Sequence, residues 1–227
     1  MSHKAFLRAR SPEHKQQRRE AILAAARELA LRDGVRTVSL GGVAAAVGLV
    51  KSNLARYFAT REEIFLELAA EEFRGWEAAA VARVAVAPGP ESVLDALVET
   101  LDERPLFCDL LSHSATTLER NATMEAARAF KLQTAGSFAK ISAAVAQARP
   151  DLTGDEAGEL VAAAAGFAGL LYPAAHPPPV LARLYAEDAA VAALCFEFVP
   201  VAKRMLRALA AGLPSLRGEQ GDSANGG

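Results

Sequence analysis

The sequence predicts an all-α protein that consists of a small N-terminal domain of three helices and a larger helical C-terminal domain. Alanine is abundant and apolar residues make up 52% of the chain, which favours helices around a large core. Apolar side chains recur at spacings of three and four residues, the period of one helix face. Glycine and proline separate these stretches, and none of them alternates as a strand would.

The predicted boundaries divide the chain into four parts. A basic, flexible arm occupies residues 1–11, and a three-helix domain with a helix-turn-helix occupies residues 12–60. A larger helical domain follows at residues 61–213. Residues 214–227 are rich in Gly and Ser and lack an apolar period, so they are predicted to be a disordered tail. Two interpretations of the arm stay open, a functional contact and a segment without a role.

Charge is distributed unevenly along the chain, although the net charge is only −2. Residues 1–61 carry 12 Lys and Arg against 4 Asp and Glu, a net charge of +8. Residues 62–227 carry 13 against 23, a net charge of −10. A basic N-terminal domain is typical of a protein that binds a polyanion through that domain. An incidental basic surface is the alternative.

The first helix is predicted to begin near Pro12, because proline suits the first helical position and Ser11 can cap it. Ile22, Leu29 and the alanines between them give it an apolar face. It is predicted to end at Gly34, since glycine adopts a left-handed conformation without penalty. Three basic side chains crowd its N-terminal end and would point at a phosphate backbone if this helix abuts DNA: Lys15, Arg18 and Arg19.

The stretch from 39 to 58 reads as two short helices around a tight turn. Ser39 is placed to cap the first helix, and Gly48 is placed to end it. Val50, Leu54 and Phe58 are predicted to form the buried face of the second helix. Its other face carries polar and basic side chains: Lys51, Ser52, Asn53, Arg56 and Tyr57. This arrangement is what a helix-turn-helix DNA reader requires.

The fourth helix is predicted to begin at a capping box formed by Thr60 and Glu63 and to run to about Ala85. Pro88-Gly89-Pro90 then breaks the chain. Six further helices are predicted: about 91–102, from Pro105, Asn121 to about Ala148, Thr153 to about Pro173, about 180–186, and about 188–211 with a possible kink at Pro200.

A resemblance to the tetracycline repressor (TetR) family of bacterial regulators covers roughly residues 15–70. Two positions depart from the family pattern: Val50 stands where a small hydroxyl residue usually caps the recognition helix, and Ala55 stands where an aromatic is common. The resemblance rests on an Arg-rich start of the first helix, the Asp-Gly turn, Thr37-Val38-Ser39, Val43-Ala44, Gly48, Lys51, Leu54, Tyr57-Phe58 and Thr60-Arg61-Glu62-Glu63.

The resemblance implies a dimeric transcriptional regulator, a repressor that a small molecule releases from a double-stranded DNA operator. Lys51 and Arg56 are the side chains long enough to reach base edges, whereas most of the others would hold phosphates. The predicted DNA-binding residues are Thr37, Ser39, Lys51, Ser52, Asn53, Arg56, Tyr57, Thr60 and Arg61.

The last two long helices are apolar around much of their circumference, so each needs a second cover besides its own core. In the family, this helix pair forms the interface of a two-fold dimer. The residues predicted to lie in the homodimer interface are Ala162, Gly166, Gly169, Leu170, Phe198 and Met205. The alternative is that both helices are interior.

The resemblance also implies an effector cavity in the larger domain. Its mostly apolar lining suggests a small hydrophobic or aromatic effector. The predicted lining is Phe73, Trp76, Phe107, Leu110, His113, Met124, Phe130, Phe138 and Phe167. Each of these side chains has core packing as its alternative role, and His113 is either the polar contact that orients the effector or a structural histidine.

The chain is predicted not to be an enzyme, and no cofactor or metal is predicted. It has no G-x-S-x-G, no Gly-rich phosphate loop and no His, Cys or Asp cluster at metal-ligand spacing. Ser112, His113 and Ser114 are adjacent on a helix, so their side chains diverge. Cys108 and Cys195 lie in apolar helical sequence and are predicted to be buried thiols.

A cytoplasmic protein without a membrane partner is predicted. The N-terminus is polar and charged, unlike a signal peptide, and the longest apolar run, residues 160–175, has 16 residues, which is short for a membrane span. The alternative function is an all-α ligand-binding or protein-docking module without sequence-specific DNA binding. Salt-dependent binding to random duplex would separate these two functions.

Overall fold

The computed structural model describes residues 12–218, which form an all-α fold as predicted, without a strand in that range. The predicted arm at residues 1–11 and the last part of the predicted tail, residues 219–227, lie outside the described residues. The α-helices in this range are α1 (Pro12–Asp33), α2 (Leu40–Ala46), α3 (Lys51–Leu54), α4 (Arg61–Val84), α5 (Pro90–Asp102), α6 (Pro105–His113), α7 (Met124–Ala148), α8 (Gly154–Ala175), α9 (Pro179–Glu187) and α10 (Phe198–Gly212). We call residues 12–60 the head and residues 61–218 the body.

The helix boundaries in the head confirm the predicted roles of Gly34, Ser39, Gly48 and Thr60. The predicted cap Ser11 lies outside the described residues, and Glu63 accepts from the Ala59 N–H instead of completing the capping box with Thr60. The Ser39 hydroxyl accepts a 3.0 Å hydrogen bond from an N–H in the first turn of α2. Gly34 and Gly48 have φ angles of 82° and 65°, in the left-handed region that the chain needs after α1 and α2. Thr60 caps α4 by accepting from the N–H of Glu63. Side chains within the head therefore set where its helices begin and end.

The helix α4 connects the head with the body. It packs against α1 on one side and against α5, α6 and α7 further along. In the body, α8 packs against α5, α6, α7 and α10, and α10 also covers α5. Buried apolar side chains form one continuous core through both domains, from Ile22 in α1 to Ala210 in α10. Head and body are therefore joined by a shared core.

The helix α7 begins later than predicted. Its cap is Thr123, whose hydroxyl accepts from the Ala126 N–H, and the predicted cap Asn121 lies outside the helix. A π-helical turn at Ser114–Leu118 and a 3-10 turn at Glu119–Asn121 occupy the preceding residues. Asn121 ends the 3-10 turn, and its side-chain amide donates to the Thr117 carbonyl oxygen, so it does not cap α7.

The helix α10 is shorter than the predicted helix from about 188 to 211. The residues after α9 form turns, including a 3-10 turn at Ala192–Leu194. Pro200 lies in the first turn of α10, where a missing N–H loses no helical hydrogen bond, so it suits the start of this helix.

Cys195 lies between the 3-10 turn and α10 and is exposed, contrary to the prediction that both cysteines are buried. Cys108 is buried, and burial raises the pKa of its thiol to about 12.

Described structure continues past the predicted start of the tail at residue 214. A 3-10 turn spans Leu213–Gly218, and Arg217 in it pairs with Glu156 at 2.5 Å. Thr153 and Glu156 form the predicted capping box at the start of α8. Hydrogen bonds from Arg217 and from the Thr153 N–H lower the pKa of the Glu156 carboxyl to about 2. This ion pair holds residues 213–218 against the body.

Within residues 12–218, α8 is the one helix that is long and apolar enough to cross a membrane by length and composition. It packs against four other helices of the body, and 33% of this apolar stretch is buried. No group of three or more His, Cys, Asp and Glu side chains in the described range could hold a metal ion.

Candidate nucleic-acid interface and effector region

The second helix of the helix-turn-helix, α3, has only four residues, Lys51–Leu54. Residues 55–57 form a turn directly after it. We call residues 51–58 the recognition segment. Leu54 and Phe58 are buried beneath it, as predicted. Val50, which was predicted to be buried with them, is 63% exposed because it is the N-cap residue and precedes the helix face. The exposed predicted residues are Lys51, Ser52, Asn53 and Arg56.

A groove of about 580 Å³ lies between the N-terminal end of α1 and the recognition segment. Asn53, Arg56 and Tyr57 form one side of it. The other side is formed by His14, Lys15 and Arg18 of α1, none of which is in the predicted DNA-binding set. The sequence predicts that Lys15 and Arg18 point towards a phosphate backbone if α1 lies against DNA, whereas His14 belongs to no motif.

Four basic side chains on this surface have no ion pair with any described residue: Lys15, Arg18, Lys51 and Arg56. All four are exposed. A cation without an internal partner can bind a phosphate without first breaking a bond inside the protein. This surface therefore carries exposed positive charges that are available to bind the phosphates of a DNA backbone.

Two other arginines of the head region are bound within the protein. Arg61, a predicted DNA contact, donates to the carbonyl oxygens of Val35 and Val38 and lies over the Phe65 ring. Its side chain is only 17% exposed. Its bonds connect the start of α4 to the chain that enters α2, so we remove Arg61 from the candidate DNA contacts.

Arg19 has a similar internal role beside the recognition segment. It donates to the Tyr57 carbonyl oxygen at 2.7 Å, pairs with Glu67 of α4, and lies 4.0 Å above the centre of the Phe58 ring. Arg19 thus connects α1, the end of the recognition segment and α4. Its neighbour Arg18 points to the groove instead.

The predicted hydroxyl contacts differ in whether their O–H groups are already bonded. Ser39 and Thr60 accept N–H groups as caps, which leaves their O–H groups able to donate to a phosphate oxygen. Thr37 is exposed, but its hydroxyl already donates to the Asp33 carbonyl oxygen at 2.7 Å. Tyr57 is half-buried and lines the groove.

Besides α4, the helices α6 and α7 are also bonded towards the head, α6 directly and α7 through Glu63 of α4. The Asp109 carboxylate of α6 accepts from the Val35 N–H at 2.7 Å. The Thr123 hydroxyl at the start of α7 donates to Glu63 at 2.7 Å, and the Glu63 carboxylate also accepts from the Ala59 N–H of the head. Through these bonds, a displacement of α6 or α7 would reach the helix-turn-helix.

The structure places His113 at this junction. It pairs with Asp109 at 3.4 Å and, with Arg36, Arg61 and Leu118, lines a depression of about 340 Å³. The aromatic side chains predicted to surround an effector lie in a different part of the body. His113 is therefore removed from the candidate effector contacts.

Five of the predicted aromatic side chains do come together between α4, α6 and α7. Phe73 is central: its ring centre lies 4.8 Å from that of Phe107, 5.9 Å from Phe130 and 5.6 Å from Phe138. Trp76 contacts the same group, 5.9 Å from Phe107. We call these five residues the aromatic cluster. Their rings fill the region in which a cavity was predicted.

The remaining predicted effector residues differ in their surroundings. Leu110 is fully buried. Phe167 on α8 is half-buried against the core. Met124 is 85% exposed because it begins α7, so the structure removes it from the candidate effector contacts.

An open cleft of about 700 Å³ separates α1, the first half of α4 and the first half of α7. Phe130 belongs both to the wall of this cleft and to the aromatic cluster. Thr134, one turn later on α7, has a buried hydroxyl oxygen with no hydrogen-bond partner. Buried hydroxyls in native proteins are nearly always bonded, so this group needs an explanation.

The predicted dimer residues divide into two groups. Ala162, Gly166 and Leu170 are exposed on one face of α8, and the space beside Gly166 is open. Met205 is exposed on α10. Gly169, in contrast, lies so close to the backbone of α6 in the same chain that an added Cβ would be 3.2 Å from Leu111.

Phe198 also faces its own chain. It is 3% exposed and packs edge-on against Tyr172 at 5.4 Å. Gly169 and Phe198 are therefore intramolecular contacts, and the candidate interface is reduced to the exposed residues of α8 and α10.

Comparison with known proteins gives two family matches. The family described as "Bacterial regulatory proteins, tetR family" matches residues 22–68. The family described as "Tetracyclin repressor-like, C-terminal domain" matches residues 70–216. No curated protein matches the chain significantly.

Several solved structures share the fold. PfmR, a TetR-family regulator of Thermus thermophilus, is 16% identical, with a TM-score of 0.55 over 85% of this chain and 98% of its own. FadR of Thermus thermophilus, a repressor in complex with lauroyl-CoA, is 17% identical, with a TM-score of 0.55 over 86% and 94%. FadR of Bacillus subtilis, in complex with stearoyl-CoA, is 12% identical, with a TM-score of 0.54 over 85% and 98%.

Proposed function

The chain belongs to the tetracycline repressor family of bacterial regulators, and from this premise we propose that it is a homodimeric, cytoplasmic repressor that a small apolar effector releases from its operator. The single observation that supports DNA binding most strongly is the set of unpaired cations around the groove between α1 and the recognition segment. Phosphate contacts of this kind supply most of the affinity for a duplex.

The recognition segment would enter the major groove, with α1 against the backbone. Lys51 and Arg56 are the candidates for base contacts, because they are exposed and long. Lys15 and Arg18, with the cap hydroxyls of Ser39 and Thr60, would hold phosphates. Two heads would then bind two half-sites about one helical turn apart, roughly 34 Å.

The dimer would form through the exposed faces of α8 and α10. Leu170 is 70% exposed, and Ala162 and Gly166 beside it allow another helix to approach closely. An apolar helix face of this kind needs a cover, and a second copy supplies one with two-fold symmetry.

The effector would bind at the aromatic cluster. All five rings lie between α4, α6 and α7, and α6 is bonded to the head directly, while α7 is bonded to it through Glu63. Opening the cluster for a ligand would therefore change the spacing of the two heads. The effector would act by shifting the population of the dimer from one head spacing to the other. The FadR relatives hold acyl-CoA, which makes a long apolar chain the first ligand class to test here.

Selection from a pool of random duplexes tests this function. The expected product is a palindromic site with two half-sites, bound by one dimer. Lauroyl-CoA and other apolar compounds are then screened for release of that site in a gel-shift assay. A selection that enriches no sequence would support the alternative, a ligand-binding or docking module without specific DNA binding.

A further inference from the structure

Gly75 lies in the interior of α4, although glycine is the least favourable residue in a helix after proline. A Cβ atom at this position would lie 2.5 Å from Nη1 of Arg104 and 3.1 Å from its Cζ. The guanidinium of Arg104 therefore lies against the backbone of α4, in the space that a side chain at position 75 would fill.

Arg104 stands between α5 and α6, and its backbone is bonded on both sides. Its N–H donates to the Leu101 carbonyl oxygen at 2.9 Å, and its carbonyl oxygen accepts from the Cys108 N–H at 3.1 Å. Its side chain has one ion pair within residues 12–218, with Glu72 of α4 at 3.3 Å. The side chain of Arg104 thus connects the start of α6 with α4.

Glu72 is shared between Arg104 and the head. Its side chain is 12% exposed, and it also pairs with Arg27 of α1. Arg27 pairs in addition with Glu71 at 2.6 Å, so two carboxylates balance the two arginines. We call Arg27, Glu72 and Arg104 the ion-pair chain. It links α1 of the head, α4 and the start of α6 in a row.

The helix α6 is held at two further points. Phe107, three residues after Arg104, packs against aromatic rings of α4. The Asp109 carboxylate accepts from the Val35 N–H of the head. Because Phe107 lies between the other two points, release of Arg104 would let α6 turn about Phe107. Asp109 would then move, and with it the chain that enters α2.

We propose that Arg104 is a positioning residue, which fixes the orientation of the head on the body and so sets the preference for the operator without contacting DNA. The proposal rests on the proposed function, because the operator is what the two heads must match. Without the Arg104 contact, each head takes more orientations. Only a fraction of the dimers then matches the two half-sites, and operator affinity falls by that fraction.

Two variants remove the Arg104 contact in different ways. Arg104→Gln deletes the guanidinium, whereas Gly75→Ala displaces it, since only the far end of a flexible side chain stands in the way of the new methyl group. Fluorescence anisotropy of the full chain on the selected operator and on a scrambled duplex measures both affinities. Each variant is expected to stay dimeric and to bind the operator about tenfold more weakly. The scrambled duplex should be bound within about twofold of wild type with the same salt slope, because the phosphate contacts of each head remain.

The melting temperature distinguishes this role from a structural one. Gly75→Ala should keep or raise it, because alanine favours a helix, whereas Arg104→Gln should lower it, because Glu72 loses a donor. Opposite changes in stability with the same loss of operator preference exclude stability as the cause. The double variant is expected to lose no more preference than Arg104→Gln alone, since both changes act on one side chain.

Two matched controls keep the ion-pair chain intact. Gly136→Ala adds the same methyl group on α7, where the surrounding space is open. Arg83→Gln also removes an arginine ion pair of α4, but its partners Glu99 and Glu103 lie in and directly after α5. Both controls should bind the operator as wild type does.

The proposal is overturned if Arg104→Gln binds both duplexes as wild type does, or if its affinities for both fall by the same factor. Additive losses in the double variant would also overturn it, because Gly75 would then act independently of Arg104. If wild type prefers the operator and the variants do so equally, the repressor function stands and only the role of Arg104 is wrong. If wild type has no preference between the duplexes, the repressor function fails, and the role of Arg104 fails with it.

Discussion

The groove beside the recognition segment and the residues just before α8 use arginine in opposite ways. In the head, Arg18 and Arg56 are exposed beside a groove and have no partner among the described residues. In the body, Arg149 is 7% exposed and bonds both Asp151 and the Pro90 carbonyl oxygen. An internally bonded guanidinium must break those bonds before it can bind a ligand. Pairing therefore separates the cations that serve binding from those that hold the fold, which a charge count alone does not show.

The largest effect is expected where the body joins two heads. Gly166→Arg places a charge on the open face of α8 and should give folded monomers that bind the operator about 100-fold or more weakly, since two linked heads bind far more tightly than one. Size-exclusion chromatography and gel shift measure both properties. Gly136→Arg, at an equally open position on α7, is the matched control and should stay dimeric. A Gly166→Arg dimer would place the interface elsewhere.

Stability should depend on the aromatic cluster far more than on the DNA-binding surface. Trp76→Ala empties a fully buried position and should lower the free energy of unfolding by about 3–5 kcal/mol, as measured by urea denaturation. Leu132→Ala, at an exposed position on α7, should change it by less than about 0.5 kcal/mol. A small loss in Trp76→Ala would mean that the cluster is loosely packed without ligand.

Lys51→Ala and Arg56→Ala should act on specificity and leave stability unchanged. Each is expected to remove about 1–3 kcal/mol of discrimination between operator and scrambled duplex, because a base-edge contact is lost. Fluorescence anisotropy on both duplexes measures the difference. If the two affinities fall by the same factor, these side chains only bind phosphates, and DNA shape must carry the sequence preference.

The neighbours Arg18 and Arg19 give the sharpest internal comparison. Arg18→Ala should reduce the salt slope of DNA binding by about one unit with the fold unaffected. Arg19→Ala should cost about 1–3 kcal/mol of folding free energy, since it leaves Glu67 and the Tyr57 carbonyl oxygen without their donor. Identical effects of the two variants on stability would contradict the distinction between paired and unpaired cations.

The smallest effect is a pH dependence at the end of the body. The Glu156 pKa of about 2 lies below its ordinary value of 4.5, so this carboxyl stabilises the fold above pH 4.5, and the stabilisation is lost as pH falls towards 2. Glu156→Gln should therefore reduce the fall in melting temperature between about pH 5 and pH 2.5. Glu159→Gln, on the same helix, should behave as wild type. An unchanged fall in Glu156→Gln would show that Arg217 does not hold the turn at 213–218 in solution.

The head was predictable because local chemistry determines it. Ser39, Gly48 and Thr60 define the ends of helices through hydrogen bonds and backbone conformations that involve only a few neighbouring residues. The roles of its arginines were not predictable. Arg61 and Arg18 look alike in sequence, and only the folded chain brings the Val35 and Val38 carbonyl oxygens to Arg61.

The body was predicted less well because contacts between distant residues decide it. The family resemblance placed Phe73, Phe107 and Phe138 around one region of the body, and their rings do meet. Neither the resemblance nor helical spacing tells the side of a helix that faces another helix of the same chain from the side that faces solvent, so Met124 and Phe198 were assigned to the wrong surroundings. The turns that replace the first part of the predicted last helix were not predicted either. The apolar residues there suggested a buried helix, but most of them are exposed.

Affinity of the wild-type protein for its selected palindrome and for a scrambled duplex, measured by anisotropy across a salt series, tests the central claim most directly. The account predicts that both affinities fall linearly on a log–log plot, by about 0.9 per phosphate contacted, and that the palindrome stays about 1,000-fold or more tighter. Equal affinities for the two duplexes, or affinities that salt does not change, would contradict it.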